Sequence, residues 1–250
     1  MSLQDKVAIV TGSSSGIGAA IAVKFNSEGA KVVLVGRNEA KLKAVAAKCI
    51  DALVVRAEFS KDDDIKRVLD ETIKKFGKLD ILVNNAGTHV LGSLLNGDVM
   101  KSLDEVFQVN FCAVVYLTKL AAPYLIQTKG NIINISSIEG QRVSCFPVMM
   151  MYSSSKAALD TFSREAALEL SSHGVRINVI SPGPVKTDIL NNTNTDYLSW
   201  ESIANMTALH RVAESKEIAE LAFFLASDKA KGITGSVCVY DNGMLLKNYN

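Results

Sequence analysis

Val7-Ala8-Ile9-Val10-Thr11-Gly12-Ser13-Ser14-Ser15-Gly16-Ile17-Gly18 joins a short apolar run to the first turn of an apolar helix. A run that is apolar on both faces reads as a buried strand of a parallel sheet. The residues between strand and helix have separable tasks. Gly12 permits a tight turn, Gly16 lets backbone approach a pyrophosphate, and Gly18 lets the helix pack on the strand. The N–H groups at a helix start lack intrahelical partners and attract anionic oxygens. The glycine spacing departs from the generic G-x-G-x-x-G, so the strand-turn-helix context carries the reading. A dinucleotide is the expected ligand, held over Gly12, Ser14, Ser15, Gly16, Ile17 and Gly18. A turn with no ligand is the alternative.

The same pattern repeats downstream. Segments 7–11, 32–36, 52–56, 81–84, 131–136, 175–181 and 236–240 read as buried strands. Between them, 17–28, 39–48, 62–76, 101–127, 153–172 and 215–226 carry apolar residues at helical spacing. Strict alternation predicts an α/β fold, a doubly wound (Rossmann-type) seven-stranded parallel sheet with helices on both faces. Without a linker or repeat, residues 1–250 read as a single dinucleotide-binding and catalytic domain. Ligands in such sheets bind beyond the carboxyl ends of the strands. The irregular segment 188–210 is expected to form a lid over that site.

Composition narrows the partners. Of 250 residues, 48% are apolar and 21% charged, a globular balance, and 27 Lys and Arg against 26 Asp and Glu leave a net charge of +1. No basic run is present to neutralise a row of phosphates, so nucleic acid is not an expected partner. The most apolar stretch, 111–126, is interrupted by Lys119 and Pro123 and is short for a membrane span. The chain starts directly into a strand without a secretory pattern, and a cytoplasmic location is expected. Cys49, Cys112, Cys145 and Cys238 form no C-x-x-C pair and read as small buried thiols.

Dinucleotide sites of this type usually place an acid at the end of the second strand, where it meets the ribose 2′-hydroxyl. Here the position holds Arg37-Asn38. A guanidinium pairs with a 2′-phosphate, so NADP(H) is expected over NAD(H). Arg37 as a solvated loop residue and Asn38 as a helix cap remain the alternative.

Tyr152 and Lys156 lie one helical turn apart on a common face. A phenol is a poor base at neutral pH, and a neighbouring ammonium favours its phenolate. Alone this pair is weak; with the glycine turn, Asn84-Asn85-Ala86-Gly87, Asn110, Ser137 and Pro182-Gly183-Pro184-Val185-Lys186-Thr187 it becomes specific. In these motifs, spread over nearly the whole chain, the sequence resembles the short-chain dehydrogenase/reductase family, classical type. The resemblance implies a nicotinamide-dependent interconversion of a carbonyl and a secondary alcohol. It implies Tyr152 as acid/base, Ser137 as hydrogen-bond donor to the reacting oxygen, Lys156 holding the nicotinamide ribose and depressing Tyr152, and Asn110 ordering a proton relay. It places the carboxamide against Pro182, Gly183, Val185 and Thr187, and the adenosine half along Asn85, Ala86 and Gly87. A dinucleotide-binding scaffold without turnover is the alternative in another class.

Three departures from the family pattern bear on the site. Glu58-Phe59 stands at the adenine position where Asp-Val is usual, Ser137 precedes Tyr152 by a longer loop, and Asp241-Asn242-Gly243 replaces D-G-G. That loop brings Phe146, Val148, Met149, Met150 and Met151 before Tyr152, and adaptable thioethers suit a lipophilic small-molecule substrate, steroid-like, isoprenoid or acyl. Leu91, Leu94, Leu95, Tyr197, Trp200 and Met206 are expected to complete the pocket. Family members commonly assemble through two long helices, so a homo-oligomer, tetramer or dimer, is expected, with Phe107, Phe111, Val114, Val115, Phe162 and Leu168 available at its contacts.

Overall fold

The computed structural model describes residues 2–95, 97–144, 146–187 and 199–247. Strands β1 (Val7–Thr11), β2 (Lys31–Gly36), β3 (Leu53–Arg56), β4 (Ile81–Asn84), β5 (Asn131–Ile135) and β6 (Arg176–Pro182) follow the predicted segments to within a residue or so. Two short strands, β7 (Val185–Lys186) and β8 (Ala213–Glu214), pair with each other, and β9 (Val237–Tyr240) completes the main sheet. Among the described residues that sheet has seven strands, all parallel, in the order β3-β2-β1-β4-β5-β6-β9.

Side-chain alternation divides the apolar strand residues between two cores. Ala8, Val10, Val32 and Leu34 face one layer, built on α1 (Gly16–Ser27), α2 (Glu39–Ala46) and later α8. Val7, Ile9, Val33 and Val35 face the other, with α3 (Asp62–Phe76) and the long helices that follow. A period of two and burial on both faces explain why these strands read as continuous apolar runs. Helix α3 is oriented by its charges, with Asp62, Asp63 and Asp64 in its first turn and Lys74 and Lys75 in its last. These match the helix dipole, and Gly77 ends the helix in the left-handed conformation.

The segment read as one helix over 101–127 runs from residue 99 to 128 as α4 (Val99–Phe107), a π-helical turn (Gln108–Cys112) and α5 (Ala113–Thr128). The inserted π turn buries Asn110 completely. Within these 30 residues an 18-residue window reaches a mean hydropathy of 1.5, enough by length and composition alone to cross a bilayer, a test that the core helix of a globular fold also passes. In the fold they pack along the sheet against α3 and against α6 (Met150–Ser171). Two elements escaped the sequence pattern: the ladder β7–β8, too short to show a period, and α7 (Trp200–Asn205), inside the segment read as a lid. Of the segment read as a lid, 188–198 with Tyr197 lies outside the described residues, as do Cys145 and 248–250. Helix α8 (Ser215–Ala226) is closed by a reciprocal capping box between Glu214 and Glu217. Cys112 is exposed and Cys49 and Cys238 are half-buried, so the expectation of buried thiols fails for Cys112, which the π turn places on the outer face.

Candidate active site

The chain order reverses between β1 and β4, and the loops leaving their carboxyl ends part there to form a cleft. Thr11 ties the two loops together. Its Oγ1 accepts from the Asn85 and Ala86 N–H groups at 2.9 Å each, and Asn85 Nδ2 donates to the Thr11 carbonyl at 2.9 Å. Gly12 and Gly16 have φ of +66° and +55°. A Cβ on Gly12 would stand 2.8 Å from Asn85 Nδ2, and one on Gly16 would stand 3.0 Å from Thr187 Cγ2, so both turns close only without side chains. Ser15, the residue before α1, makes no side-chain cap bond, which leaves the first-turn N–H groups to the cleft.

From this turn a cavity of about 1060 Å³ extends in two directions. One arm passes Gly36, Arg37, Glu58 and Phe59; the other reaches Ser137, Tyr152, Lys156 and the Pro182–Thr187 segment, 182–187, by way of Asn85, Ala86 and Gly87. Nearly all the predicted site residues therefore meet on one cavity. Three stand back from it: Gly18, Asn38 and the fully buried Asn110. Gly18 packs against the Gly12 carbonyl, where a Cβ would come to 2.5 Å, as its expected helix-packing task requires. Asn38 uses its side chain to cap α2, accepting from the Lys41 N–H at 3.0 Å, the task weighed as the alternative for that residue. Arg37 extends largely into solvent, its Nη1 only loosely placed at 3.9 Å from Glu58 Oε2.

At the far end α6 sets Tyr152 and Lys156 one turn apart. Lys156 is 4% exposed, donates to the Ile135 carbonyl at 3.0 Å, and holds its ammonium 5.7 Å from the centre of the Tyr152 ring. Burial brings Lys156 down to about 8. Burial also lifts the Tyr152 phenol above its ordinary range; a hydrogen bond with Ser137 works against this and the Glu139 charge adds to it. The net direction for the phenol is upward, opposite to the depression expected of Lys156, whose ammonium lies over the ring and bonds the Ile135 carbonyl. Ser137 is held in turn by the Glu139 N–H, which donates to its Oγ at 3.2 Å. Asn110 clamps Thr88, accepting from its N–H at 2.8 Å and donating to its carbonyl at 2.9 Å, and donates to Ser155 Oγ at 3.1 Å. A Cβ on Gly87 would lie 3.4 Å from Asn110 Oδ1 and 3.7 Å from Lys156 Nζ, so Asn110 and Lys156 converge behind that glycine.

The wall around Tyr152 carries residues that sequence reasoning passed over. His89 meets the Tyr152 ring edge to face with centroids 6.5 Å apart, and burial lowers its imidazole pKa. Glu139 and Arg142 form a largely buried ion pair on the cavity wall. Their E-x-x-R spacing immediately after Ser137 was the available signal. Leu91, Phe146, Val148, Met149, Trp200 and Met206 supply apolar wall as expected, whereas Leu94 and Leu95 are 73% and 89% exposed and do not line the cavity. Met150 and Met151 begin α6 and are likewise absent from the lining.

Comparison with known proteins agrees with this geometry. A family model described as enoyl-(acyl carrier protein) reductase matches residues 12–245. Glucose 1-dehydrogenase of Gluconobacter oxydans (strain 621H) is 35% identical over 248 residues, 96% of this chain and 92% of its own length. Meso-2,3-butanediol dehydrogenase of Serratia marcescens is 34% identical over 248 residues, 97% of this chain and 96% of its own. A short-chain dehydrogenase/reductase of unknown function from Caenorhabditis elegans, solved with cofactor, superposes with a TM-score of 0.92 at 29% identity, covering 98% of this chain and 97% of that one. The chain belongs to the short-chain dehydrogenase/reductase family. As a short-chain dehydrogenase/reductase it is an oxidoreductase of CH–OH and C=O groups that uses a nicotinamide dinucleotide. The side-chain-free turn at Gly12 and Gly16 and the uncapped start of α1 fit such a cofactor's pyrophosphate.

Proposed function

We propose that the protein is an NADP(H)-dependent oxidoreductase that reduces a carbonyl on a lipophilic small molecule, or oxidises the matching secondary alcohol, with Tyr152 as the acid/base. The observation that carries the reading is that Tyr152, Ser137 and Lys156 stand together on the wall of a cavity continuous with the glycine turn. The bound cofactor supplies the hydride. A phenol kept protonated by burial is set to donate its proton as oxyanion character develops on the substrate. Ser137, oriented by the Glu139 N–H, donates a second hydrogen bond to that oxygen. Lys156 holds the ribose side of the cleft and, with Asn110 behind it, passes a proton toward Tyr152. A scaffold role would leave this arrangement without purpose.

Arg37 supports the choice of NADP(H), because it stands at the rim of the adenosine arm, largely exposed and 3.9 Å from Glu58, ready to be drawn to a 2′-phosphate. The apolar wall of Leu91, Phe146, Val148, Met149, Trp200 and Met206 supports a large carbon skeleton. Relatives named for glucose and for butanediol share the alcohol chemistry. We place the enzyme in the cytoplasm as a homo-oligomer, supported by unpaired cysteines among the described residues and by exposed apolar side chains such as Leu168 on α6. Following NADPH consumption across a panel of ketones tests the reading. Turnover of bulky apolar ketones with a lower KM for NADPH than for NADH is expected, and turnover confined to small sugars with NADH would overturn it.

A further inference from the structure

The rings of His89 and Tyr152 meet edge to face, with centroids 6.5 Å apart and planes at 82°. One buried side chain ties down the main chain on both sides of this contact. Asn110 Oδ1 accepts from the Thr88 N–H at 2.8 Å and its Nδ2 donates to the Thr88 carbonyl at 2.9 Å, so both backbone groups of the residue before His89 are held. The same Nδ2 donates to Ser155 Oγ at 3.1 Å, and Ser155 Oγ donates in turn to the carbonyl of Tyr152 itself at 2.7 Å. Asn110 and Ser155 are both fully buried, where such bonds are strong and no water replaces them. Beyond His89 the loop is tied again, because the Gly92 N–H donates to the Val148 carbonyl at 2.9 Å in the 3-10 turn (Pro147–Met149) that leads into α6. Burial favours the neutral imidazole, so ring packs on ring without a charge between them.

We infer that His89 is a positioning residue for the acid/base: its ring, fixed by Asn110 through Thr88, packs against the ring of Tyr152 and keeps the phenol hydroxyl where the substrate oxygen arrives. Asn110 thereby has a task besides the proton relay, since it sets the spacing of the two rings. This rests on Tyr152 as the acid/base and deepens that reading by naming what holds the phenol. Proton transfer needs the donor within hydrogen-bond reach of the reacting oxygen, and a displacement of about 1 Å can cost about 100-fold in rate. His89 also lines the cavity, so contact with the substrate is the competing role. The two roles separate kinetically. A residue that acts on the acid changes kcat by one factor for every ketone, whereas a residue that touches the substrate changes KM, and does so differently for small and large ketones.

The test measures kcat and KM of wild type, His89→Leu, His89→Gln and His89→Phe for cyclohexanone and for the two-ring 2-decalone at saturating NADPH. His89→Leu and His89→Gln, which remove the ring, are expected to lower kcat by about tenfold or more, by factors that agree within about twofold for the two ketones, with each KM within about threefold of wild type. His89→Phe, which restores a ring and no polar atom, should bring kcat back to within about threefold of wild type. Should the leucine variant fail to fold, judged by its melting curve, the glutamine variant decides the matter by the same comparison. An unchanged kcat without the ring, a loss that phenylalanine does not restore, or a change confined to KM overturns the inference, while turnover of either ketone by wild type leaves the oxidoreductase reading standing. Turnover of neither ketone by wild type overturns both.

Discussion

Burial acts on Tyr152 and Lys156 in opposite directions, since it penalises the charged form of each. It pushes the phenol up and brings the ammonium down to about 8, so at neutral pH the phenol carries its proton and the lysine is mostly cationic. Carbonyl reduction, which needs the protonated phenol, is therefore expected to stay level through neutral pH and to fall only on the alkaline side. Because the Glu139 charge raises Tyr152, removing it should lower the phenol's pKa. A pH–rate profile of Glu139→Gln is expected to show its alkaline limb at lower pH than wild type, and an unmoved or raised limb would contradict the electrostatic link. The Tyr-Lys spacing was legible because a helical face brings residues four apart together. The direction of the phenol's shift was not, because it depends on how much water α6 and the 138–140 turn exclude. Glu139 itself was hidden for the same reason: only the folded turn shows that one of its oxygens has no donor among the described residues.

At the level of elements, the glycine turn carries the strongest local constraint. Gly12 combines a φ of +66° with a Cβ position 2.9 Å from the Ala86 backbone, whereas Gly77, at +74°, has open space around it. Both positions penalise alanine for left-handed backbone, but only Gly12 adds a clash. Gly77→Ala is expected to cost about 1 kcal/mol and Gly12→Ala about 1–3 kcal/mol more, since strained conformations are worth that much. Thermal melts of the two variants check the order, and only Gly12→Ala should also weaken NADPH binding by fluorescence titration. The strands and most helices were readable from period and punctuation, since each apolar run is buried on both faces. The π turn at Gln108–Cys112 was not, because one inserted residue leaves hydropathy unchanged while rotating Asn110 inward. The two-residue strands β7 and β8 were too short for any period, and of the two tasks open to Asn38 the cap is the one its side chain performs.

For the molecule as a whole, the near-neutral net charge of +1 means that attraction for a phosphate-rich cofactor must be local. Arg37 is the residue on which that selection rests, so Arg37→Glu is expected to raise KM for NADPH by about tenfold or more while leaving KM for NADH within a few-fold, a difference of at least about 1.4 kcal/mol. Equal effects on both cofactors would return Arg37 to a solvated loop residue. On α6, Leu168 is 74% exposed, and Phe111 meets Phe162 edge to face at 6.0 Å at the margin of one core. Light scattering is expected to give the mass of a dimer or tetramer, and a monomer at micromolar concentration would remove the assembly from the proposal. The central claim is that one buried phenol delivers the proton at the end of this cavity. The most direct measurement is ketone reduction by Tyr152→Phe at saturating NADPH. A fall in kcat of at least about 100-fold, with NADPH binding within a few-fold of wild type, is the predicted result; undiminished turnover would show that Tyr152 is not the acid.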